Sequence, residues 1–338
     1  MKLVPHPYQL VACRFLVKRP EAALFLDVGL GKTSVTLLAY TALRKAKAAS
    51  KMLIIAPLRV CSLVWPAEVA KWEQFQNLRV AVLHGNEKED HLEEDADIYV
   101  VNHDGLAWLT GRISPAKTKT RLDALLERGV DTLVLDELSK FKHSNTQRFK
   151  TLRKYLPRFT RRWGLTGSPA ANGLLDLFGQ CYVLDLGKAL GQYITHYRYT
   201  YFMSTGYGGY TWVPQPDADK RIYAKIADLA LSMKATDHLE GLPTLVEQDV
   251  WVDLPEKARA FYDELEREMI AEMDGARVTV QSAAALSGKC RQAASGGVYV
   301  LRRTNVLGTE VSVDDFKSVR ETVHVHDAKT EALVDMVE

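Results

Sequence analysis

The first half of the chain alternates between short apolar runs and longer stretches in which apolar positions recur with helical spacing. Six apolar runs, each typical of a buried strand, cover residues 22–28, 52–57, 80–85, 97–102, 131–137 and 161–168. Helical spacing occupies residues 32–47, 63–72 and 121–129 between them. Strands that alternate with helices predict an α/β fold, in which a mostly parallel sheet is covered by helices on both faces.

The pattern changes after residue 186, where tyrosine and glycine become frequent. Residues 1–186 are predicted to form the first domain, and residues 187–319 an irregular and helical protrusion from it. Residues 244–254 alternate between apolar and polar positions, which predicts a strand that returns to the first domain. Residues 255–273 predict a long helix with proline at its start, and residues 277–303 predict further helix.

Length and composition narrow the class of protein. The chain has 338 residues, enough for two domains, and its 47% apolar and 25% charged residues are ordinary for a globular protein. It contains no apolar stretch of membrane-spanning length and no signal-peptide core at its start. The four cysteines lie far apart, which argues against a structural zinc site. We therefore expect a cytoplasmic protein without a membrane partner.

The net charge of +2 predicts no particular partner, but basic residues are concentrated in one segment. Residues 148–163, "RFKTLRKYLPRFTRRW", contain seven basic residues and no acidic residue. Such a run is typical either of a solvated surface helix or of a surface that faces a phosphate backbone. The run by itself favours neither interpretation.

The segment "LFLDVGLGKTSVTLL", residues 24–38, places two glycines and a Lys-Thr pair between a predicted strand and a predicted helix. Glycines allow backbone N–H groups to surround phosphate oxygens, and the start of a helix adds a partial positive charge. Lys32 would reach the β- and γ-phosphates of a nucleotide, and the Thr33 hydroxyl would bind Mg²⁺. The candidate phosphate-binding residues are Gly29, Leu30, Gly31, Lys32, Thr33 and Ser34.

The strict phosphate-loop pattern G-x-x-x-x-G-K-[ST] requires a glycine where this chain has Leu26, so a chance turn is the alternative for the loop alone. Asp136 and Glu137 give independent support, because two adjacent acids at the carboxyl end of a buried strand are costly unless they bind something. In nucleotide hydrolases the first such acid helps to hold Mg²⁺, and the second orients or deprotonates the attacking water. Both sites lie where ligands bind in α/β sheets, and together they predict ATP binding.

Several motifs, in this order along the chain, resemble those of superfamily-two helicases and specifically of the Swi/Snf-type DNA translocases. "LDVGLGKT" is similar to the family's D-E-M-G-L-G-K-T, which also lacks a glycine at the position of Leu26. "LDELSKFK" resembles the D-E-x-H box, and "LTGSPAANGLLDLFG", residues 165–179, is the most specific match. The chain looks most like the compact versions in bacteriophage genomes. The resemblance implies that residues 1–186 form a RecA-like P-loop NTPase lobe.

The resemblance also implies roles for individual residues. Gln9, in "PHPYQL", would read adenine, Asp136 would hold Mg²⁺ together with Thr33, and Glu137 would activate water. The residues that would couple the ATP site to the DNA-contacting face are Ser139, Thr166, Gly167 and Ser168. The candidates for the DNA side are Arg59, Trp65, Asn102 and His103.

Two departures from the family pattern change what we expect of this chain. Ser139 stands where the family usually has histidine, and because serine is shorter we expect a different connection to the Thr166 motif. Residues 320–338 resemble the start of a second RecA-like lobe, which in the family supplies arginines for phosphoryl transfer. We therefore expect little or no turnover without a second lobe, from a longer chain or from a partner.

Two hypotheses of function from different classes follow. The first is an ATP-dependent DNA translocase with ATP and Mg²⁺ at its site, which moves on DNA, most naturally duplex DNA, in a bacterial host cytoplasm. The second is a module that binds ATP and DNA without turnover and acts as a sensor or recruitment platform. A P-loop kinase is a weaker alternative, because the segment "LTGSP" has no role there.

Overall fold

The computed structural model describes residues 1–113, 118–205, 208, 211–239, 247–273, 276–279, 283–304 and 317–337. The chain divides into two compact units, Met1–Leu242 and Pro243–Glu338. Among the helices in these ranges, none combines the length and the apolar character that a membrane crossing demands.

The first unit contains nine strands and ten α-helices among its described residues. The strands are β1 (Glu21–Leu26), β2 (Lys51–Ala56), β3 (Val80–Val82), β4 (Ile98–Asn102), β5 (Val130–Asp136), β6 (Arg161–Thr166), β7 (Phe202–Thr205), β8 (Thr211–Pro214) and β9 (Ala230–Met233). The helices are α1 (Pro7–Lys18), α2 (Lys32–Lys45), α3 (Trp65–Lys71), α4 (Lys88–Glu93), α5 (Leu106–Leu109), α6 (Arg121–Glu127), α7 (Gln147–Arg153), α8 (Asp176–Asp185), α9 (Ile194–Tyr201) and α10 (Ala218–Ile226).

Seven of these strands form one parallel sheet in the order β3-β4-β2-β5-β6-β1-β9. The six strands predicted from the apolar runs are confirmed, and they supply the first six positions of that order. Because β1 and β5 both pair with β6, the loop after β1 and the acids that end β5 lie at the same edge of the sheet. The topology therefore places the two predicted nucleotide-binding segments close together.

Both faces of the sheet are buried, as its continuous apolar strands predict. Along β2, Leu53 and Ile55 belong to one core cluster, whereas Met52 and Ile54 belong to the other. Side chains from α1, α2 and α3 fill the second cluster, and side chains from α5 to α10 fill the first. The predicted fold class, an α/β lobe with helices on both faces, is confirmed.

The predicted end of the first domain at residue 186 is wrong, because the first compact unit continues to Leu242. Tyr197 is fully buried in the core cluster that holds α5 to α10, so the tyrosine-rich segment is part of this core. The part of the chain after residue 186 also contributes β9, which pairs in parallel with β1 at the edge of the sheet. Aromatic side chains that the pattern assigned to an irregular protrusion therefore pack against the lobe.

The second unit contains two antiparallel hairpins and three helices among its described residues. These elements are α11 (Glu256–Glu268), β10 (Ile270–Met273), β11 (Ala276–Thr279), α12 (Ala283–Ala293), β12 (Gly297–Thr304), β13 (Lys317–His324) and α13 (Ala328–Val337). A small apolar cluster holds the unit together; it consists of Phe261, Leu265, Ala271, Val278, Cys290, Ala293, Val298 and Val323.

The predicted strand at residues 244–254 is wrong for the part that the structure describes. Residues 247–254 form no strand, and residues 244–246 lie outside the described residues. Trp251 is 92% exposed and lines an apolar groove with Leu254 and Leu333. An alternating pattern produces a strand only where a neighbouring strand supplies backbone partners, and this segment has none among the described residues.

The predicted helices of the second unit are partly confirmed. The helix that opens after Pro255 is present, but it ends at Glu268, since Met269 adopts a positive φ of 57° and β10 follows. Of the residues between 277 and 303 that the structure describes, only Ala283–Ala293 is helical, and the strands β11 and β12 precede and follow it. The interpretation of residues 320–338 as the start of a second RecA-like lobe stays a prediction.

Candidate active site

The predicted phosphate loop turns through two glycines before α2 begins at Lys32. Gly29 and Gly31 have positive φ angles of 90° and 77°, which residues other than glycine rarely adopt. A Cβ atom on Gly31 would also lie 2.4 Å from the Gln9 Nε2 atom. Ser34 is buried, and its hydroxyl donates to the Gly31 carbonyl at 3.1 Å. The loop conformation therefore depends on glycine at position 31.

The departure at Leu26 has a structural explanation. Leu26 is the last residue of β1, and its side chain is fully buried in the core cluster beneath α2. The turn begins only at Asp27, so position 26 needs no special backbone conformation. A leucine there supports the strand without altering the phosphate loop.

The Lys32 ammonium group lies over the loop. Its Nζ atom donates to the carbonyl oxygens of Leu26 at 2.7 Å and Asp27 at 3.1 Å. Burial lowers the pKa of Lys32, and the charges of Asp136, Glu137 and Asp27 oppose this shift. Lys32 is therefore held between the loop and the acidic pair, where an anionic ligand would find a cation.

Gln9 lies next to the phosphate loop. Its Oε1 atom accepts from the backbone N–H of His6 at 3.0 Å, and its Nε2 atom donates to the Leu30 carbonyl at 3.3 Å. The side chain is 8% exposed. These two bonds tie the start of α1 to the phosphate loop, so a ligand that contacts Gln9 would also sense the loop.

Asp27 contributes to this region although the sequence analysis did not single it out. Its Oδ2 atom accepts from the backbone N–H of Ala235 at 2.9 Å, and its backbone carbonyl accepts from Lys32. The phosphate loop is thus connected to the segment that follows β9. The available signal was its position between the end of a buried strand and the first glycine.

Asp136 ends β5 with both carboxylate oxygens engaged. Oδ1 accepts from the Glu137 backbone N–H at 3.0 Å, and Oδ2 accepts from the Trp65 Nε1 atom at 3.0 Å. Burial raises the pKa of Asp136, and the Trp65 hydrogen bond is the largest opposing influence. The Thr33 hydroxyl and the Asp136 carboxylate are oxygen donors of the kind that Mg²⁺ prefers, so these residues fit the predicted metal.

Glu137 is the centre of the predicted coupling residues. Its Oε1 atom accepts from the Thr166 hydroxyl at 3.1 Å and from the Ser139 hydroxyl. Glu137 also has a positive φ of 57°. Residues other than glycine rarely adopt this backbone conformation, and where they do they are often found at functional sites. Ser139 and Thr166 are therefore joined through the Glu137 carboxylate.

The remaining two predicted coupling residues border the same site. The Ser168 backbone N–H donates to the Thr166 hydroxyl at 3.3 Å. A Cβ atom on Gly167 would lie 3.5 Å from the Leu26 carbonyl and 3.9 Å from Lys32 Nζ. The end of β6 thus contacts both the phosphate loop and the acidic pair.

Two of the four DNA-side candidates are buried, which contradicts a direct contact with nucleic acid. Trp65 has no solvent exposure, and its polar atom is used by Asp136. His103 is 7% exposed, and its ring lies tilted against the Phe141 ring with the two centroids 5.9 Å apart. Its Nε2 atom has no hydrogen-bond partner among the described residues. Burial lowers the pKa of His103 to about 4, so the ring is neutral near pH 7.

The other two DNA-side candidates lie nearer the surface. Arg59 is exposed in the turn after β2, and Asn102 is half-buried at the end of β4. Neither residue reaches the acidic pair through a hydrogen bond in the part of the chain that the structure describes. Their assignment to the DNA side stays a prediction.

The basic segment at residues 148–163 does not form a continuous positive surface. Arg162 is buried and pairs with Glu21, while Arg148 pairs with Asp104 at 2.9 Å. Arg158 pairs with Asp123. Most of its arginines thus neutralise acids of the same lobe, which favours a structural role for them.

The sheet order and the meeting of a phosphate-type loop with an acidic pair define a RecA-like α/β lobe. The chain belongs to the SNF2-related domain family, whose model matches residues 8–294. The resemblance to the Swi/Snf-type family, inferred from the motifs, is thereby confirmed.

Solved structures and relatives agree with this membership. The Sulfolobus solfataricus SWI2/SNF2 ATPase core in complex with dsDNA matches with a TM-score of 0.55 and 21% identity, over 88% of this chain and 59% of that chain. Protein p41 of Acyrthosiphon pisum secondary endosymbiont phage 1 is 29% identical over 98% of this chain and 69% of its own length. The human DNA annealing helicase and endonuclease ZRANB3 is 24% identical over 81% of this chain and 25% of its own length. The chain thus spans only part of each of these relatives.

Proposed function

We propose that this chain is the nucleotide-binding lobe of an ATP-dependent DNA translocase. The observation that carries the proposal is the Glu137 carboxylate, which accepts hydrogen bonds from Ser139 and Thr166. The phosphate loop lies at the same edge of the sheet, because β1 and β5 flank β6. An acid held in this way beside a phosphate loop suits the activation of water for ATP hydrolysis.

The proposal gives each residue of the site a role. Lys32, already placed by the loop carbonyls, would exchange those bonds for phosphate oxygens of ATP. Gln9 would read the adenine edge through its amide. Thr33 and Asp136 would hold Mg²⁺, which when bound neutralises phosphate charge. Glu137 would accept a proton from the attacking water or orient it, with Ser139 and Thr166 fixing its carboxylate.

Duplex DNA is the partner that we propose for this lobe. Support comes from the similar archaeal ATPase core, whose structure contains dsDNA, and from relatives that are described as helicases. Glu137, Thr166 and Ser168 form a connected set from the acidic pair to the loop after β6. A change at the nucleotide would pass along this set toward the surface on which DNA is expected. The similarity to a phage protein supports a bacterial host cytoplasm as the compartment.

Turnover is proposed to need a second RecA-like lobe. Phosphoryl transfer requires cationic groups at the developing charge, commonly arginines supplied from a neighbouring lobe or protein. Lys32 is the cation whose charge acts on Asp136 among the described residues. If turnover never occurs even when a second lobe is present, the chain is instead a module that binds ATP and DNA as a sensor or recruitment platform.

The test compares nucleotide binding and hydrolysis in the wild type, Lys32→Ala and Lys45→Ala. Lys45 is exposed at the end of the same helix, so its substitution is the matched control. We expect Lys32→Ala to weaken Mg²⁺-ATP binding about 10- to 100-fold, the value of a charge-assisted contact, and Lys45→Ala to leave it unchanged. Calorimetric titration measures the affinity.

Hydrolysis measured with and without duplex DNA separates the remaining possibilities. Background turnover in all three proteins is the expected result for a lobe that needs a second one. DNA-stimulated turnover that Lys32→Ala abolishes would retain the ATPase and contradict the need for a second lobe. Absence of Mg²⁺-ATP binding by the wild type would overturn the proposed function.

A further inference from the structure

Trp65 links the segment after β2 to the carboxylate of Asp136. Its Nε1 atom donates to Asp136 Oδ2 at 3.0 Å, and its side chain has no solvent exposure. A buried indole N–H needs an acceptor, and here that acceptor is an acid at the end of β5. The large indole ring packs in the core cluster beneath α1 and α2, which leaves it little freedom to move.

An irregular piece of backbone sets the position of Trp65. Val60–Val64 forms a π-helical turn, and α3 begins directly afterwards at Trp65. The Trp65 backbone N–H donates to the Val60 carbonyl, as the wider π turn requires. Single π turns are rare and occur frequently at functional sites. The turn places the indole against Asp136, whereas Arg59, just before it, stays exposed.

Hydrogen bonding fixes the orientation of the Asp136 carboxylate and leaves acceptor positions free on both of its oxygens. Oδ1 and Oδ2 of Asp136 each accept one bond, from Glu137 and Trp65 respectively. An ionised carboxylate oxygen can accept two, so each oxygen retains a free acceptor position. Two donors on different elements therefore hold the group in one orientation and leave it able to act as a ligand.

We propose that Trp65 is a positioning residue for the Mg²⁺ site, and that its indole N–H holds the Asp136 carboxylate ready for the metal. The inference rests on the proposed function, because it assumes that Asp136 takes part in binding Mg²⁺-nucleotide. Groups that hydrogen-bond to metal ligands fix ligand orientation, and their loss commonly weakens metal binding. Trp65 thus acts on the nucleotide side of the lobe.

Trp65→Phe tests the proposal, because it removes the N–H and retains an aromatic ring. The probe is the non-hydrolysable ATP analogue adenylyl imidodiphosphate, titrated calorimetrically in Mg²⁺ and again in EDTA. We expect the gain in affinity that Mg²⁺ provides to fall about tenfold in the variant, as for other partners of metal ligands. The affinity in EDTA should match that of the wild type.

Trp163→Phe controls for the loss of a buried indole. Trp163 is also fully buried, and its Nε1 atom donates to the Arg19 carbonyl at 3.1 Å, in the same core cluster and away from the acids. We expect this variant to retain the whole Mg²⁺-dependent gain. Equal losses in Trp65→Phe and Trp163→Phe would reduce the role of Trp65 to core packing and overturn the proposal.

A double variant shows whether Trp65 acts through Asp136. Asp136→Asn should remove most of the Mg²⁺-dependent gain, and adding Trp65→Phe should then cost nothing further. Additive losses would overturn the positioning role. A wild type that binds the analogue without any gain from Mg²⁺ would instead contradict the proposed function, so the two failures are distinguishable.

Discussion

The carboxyl ends of β1, β5 and β6 differ in organisation from the carboxyl ends of β2 and β4. At the first group, side chains contact one another: Thr166 and Ser139 donate to Glu137, and Lys32 lies between the loop and the acids. At the second group, Arg59 extends into solvent, and His103 is buried with an Nε2 atom that has no hydrogen-bond partner among the described residues. The first group is held together by hydrogen bonds among its own side chains, whereas at the second group the Arg59 side chain has no hydrogen bond or ion pair in the part of the chain that the structure describes.

The two groups of strand ends are ordered by different contacts. The edge around Glu137 is held by hydrogen bonds within the chain, so it can bind a small ligand without large rearrangement. Arg59 is an exposed cation with no ion pair among the described residues, so a partner such as a phosphate backbone would supply its contacts. Variants that disturb one region and spare the other therefore test whether the contrast is real.

The largest effect is expected from Gly179→Ala, which disturbs the packing against the turn that follows Asp136 and Glu137. Gly179 lies in α8, and a Cβ atom there would come within 2.4 Å of the Phe141 carbonyl and 2.5 Å of the Lys142 carbonyl. Those carbonyls belong to the turn that follows Glu137. Backbone atoms cannot move aside cheaply, so we expect a loss of about 3 kcal/mol in the free energy of unfolding. Urea unfolding measures it.

Gly288→Ala is the control, because Gly288 is also helical but has open space around its Cβ position. Alanine is the better helix former, so this change should stabilise α12 by up to about 1 kcal/mol. Opposite signs at two helical glycines would show that close approach to the turn, and not helix propensity, decides the result. If Gly179→Ala were neutral, the packing beneath the acidic edge would be looser than the structure indicates.

His103, which directly follows β4, is expected to make the stability of the lobe depend on pH. Its pKa is about 4 in the folded protein against an ordinary 6.5, chiefly because burial disfavours the charged ring. Between pH 4 and pH 6.5 the unfolded chain therefore binds a proton at His103 more readily than the folded chain does. The stability that the neutral ring contributes is fully present above about pH 6.5 and is lost as the pH falls toward 4. Between pH 7 and pH 5 the loss should be about 2 kcal/mol.

Urea unfolding at both pH values measures this dependence, with His103→Gln and His143→Gln as a matched pair. His143 is exposed, so His143→Gln is the control for replacing a histidine elsewhere in the lobe. In His103→Gln, the change in the free energy of unfolding between pH 7 and pH 5 should be about 2 kcal/mol smaller than in the wild type, because glutamine does not titrate. An unchanged pH dependence in His103→Gln would mean that the ring is accessible to protons in the folded lobe.

The nucleotide edge was open to prediction because its signals are local. β1 and β5 are continuous apolar runs that end in Asp27 and in Asp136-Glu137, and parallel strands bring their carboxyl ends together. The bond from Trp65 to Asp136 joins residues 71 positions apart, and no local pattern reports it. The motif marked Trp65 as important but did not tell which face of α3 it occupies.

The strand β9 escaped prediction for a related reason. Ala230–Met233 has four residues, includes a serine and pairs only with β1 at the edge of the sheet. Such a strand lacks the long apolar run that identifies a central one. Residues 247–254 show the reverse error, since their alternation is clear but no strand pairs with them among the described residues. Tertiary pairing, which periodicity does not encode, decided both cases.

The smallest effect is expected from Arg59→Ala, compared with Arg148→Ala, in binding duplex DNA. Arg59 is exposed, whereas Arg148 already pairs with Asp104 at 2.9 Å. If Arg59 contacts one phosphate, its loss should reduce the slope of log K against log salt concentration by about 0.9. Arg148→Ala should change neither the slope nor the affinity at low salt, since its charge is neutralised within the lobe.

Fluorescence anisotropy with a labelled duplex, titrated at several salt concentrations, measures both slopes. The two substitutions remove the same charge, so any difference reports where the DNA backbone lies. An equal reduction in both variants would mean that the DNA displaces Asp104 from Arg148, and the basic segment would then be part of the DNA surface. A change in Arg148→Ala alone would move that surface away from the end of β2, and the contrast between the two edges would have to be drawn elsewhere.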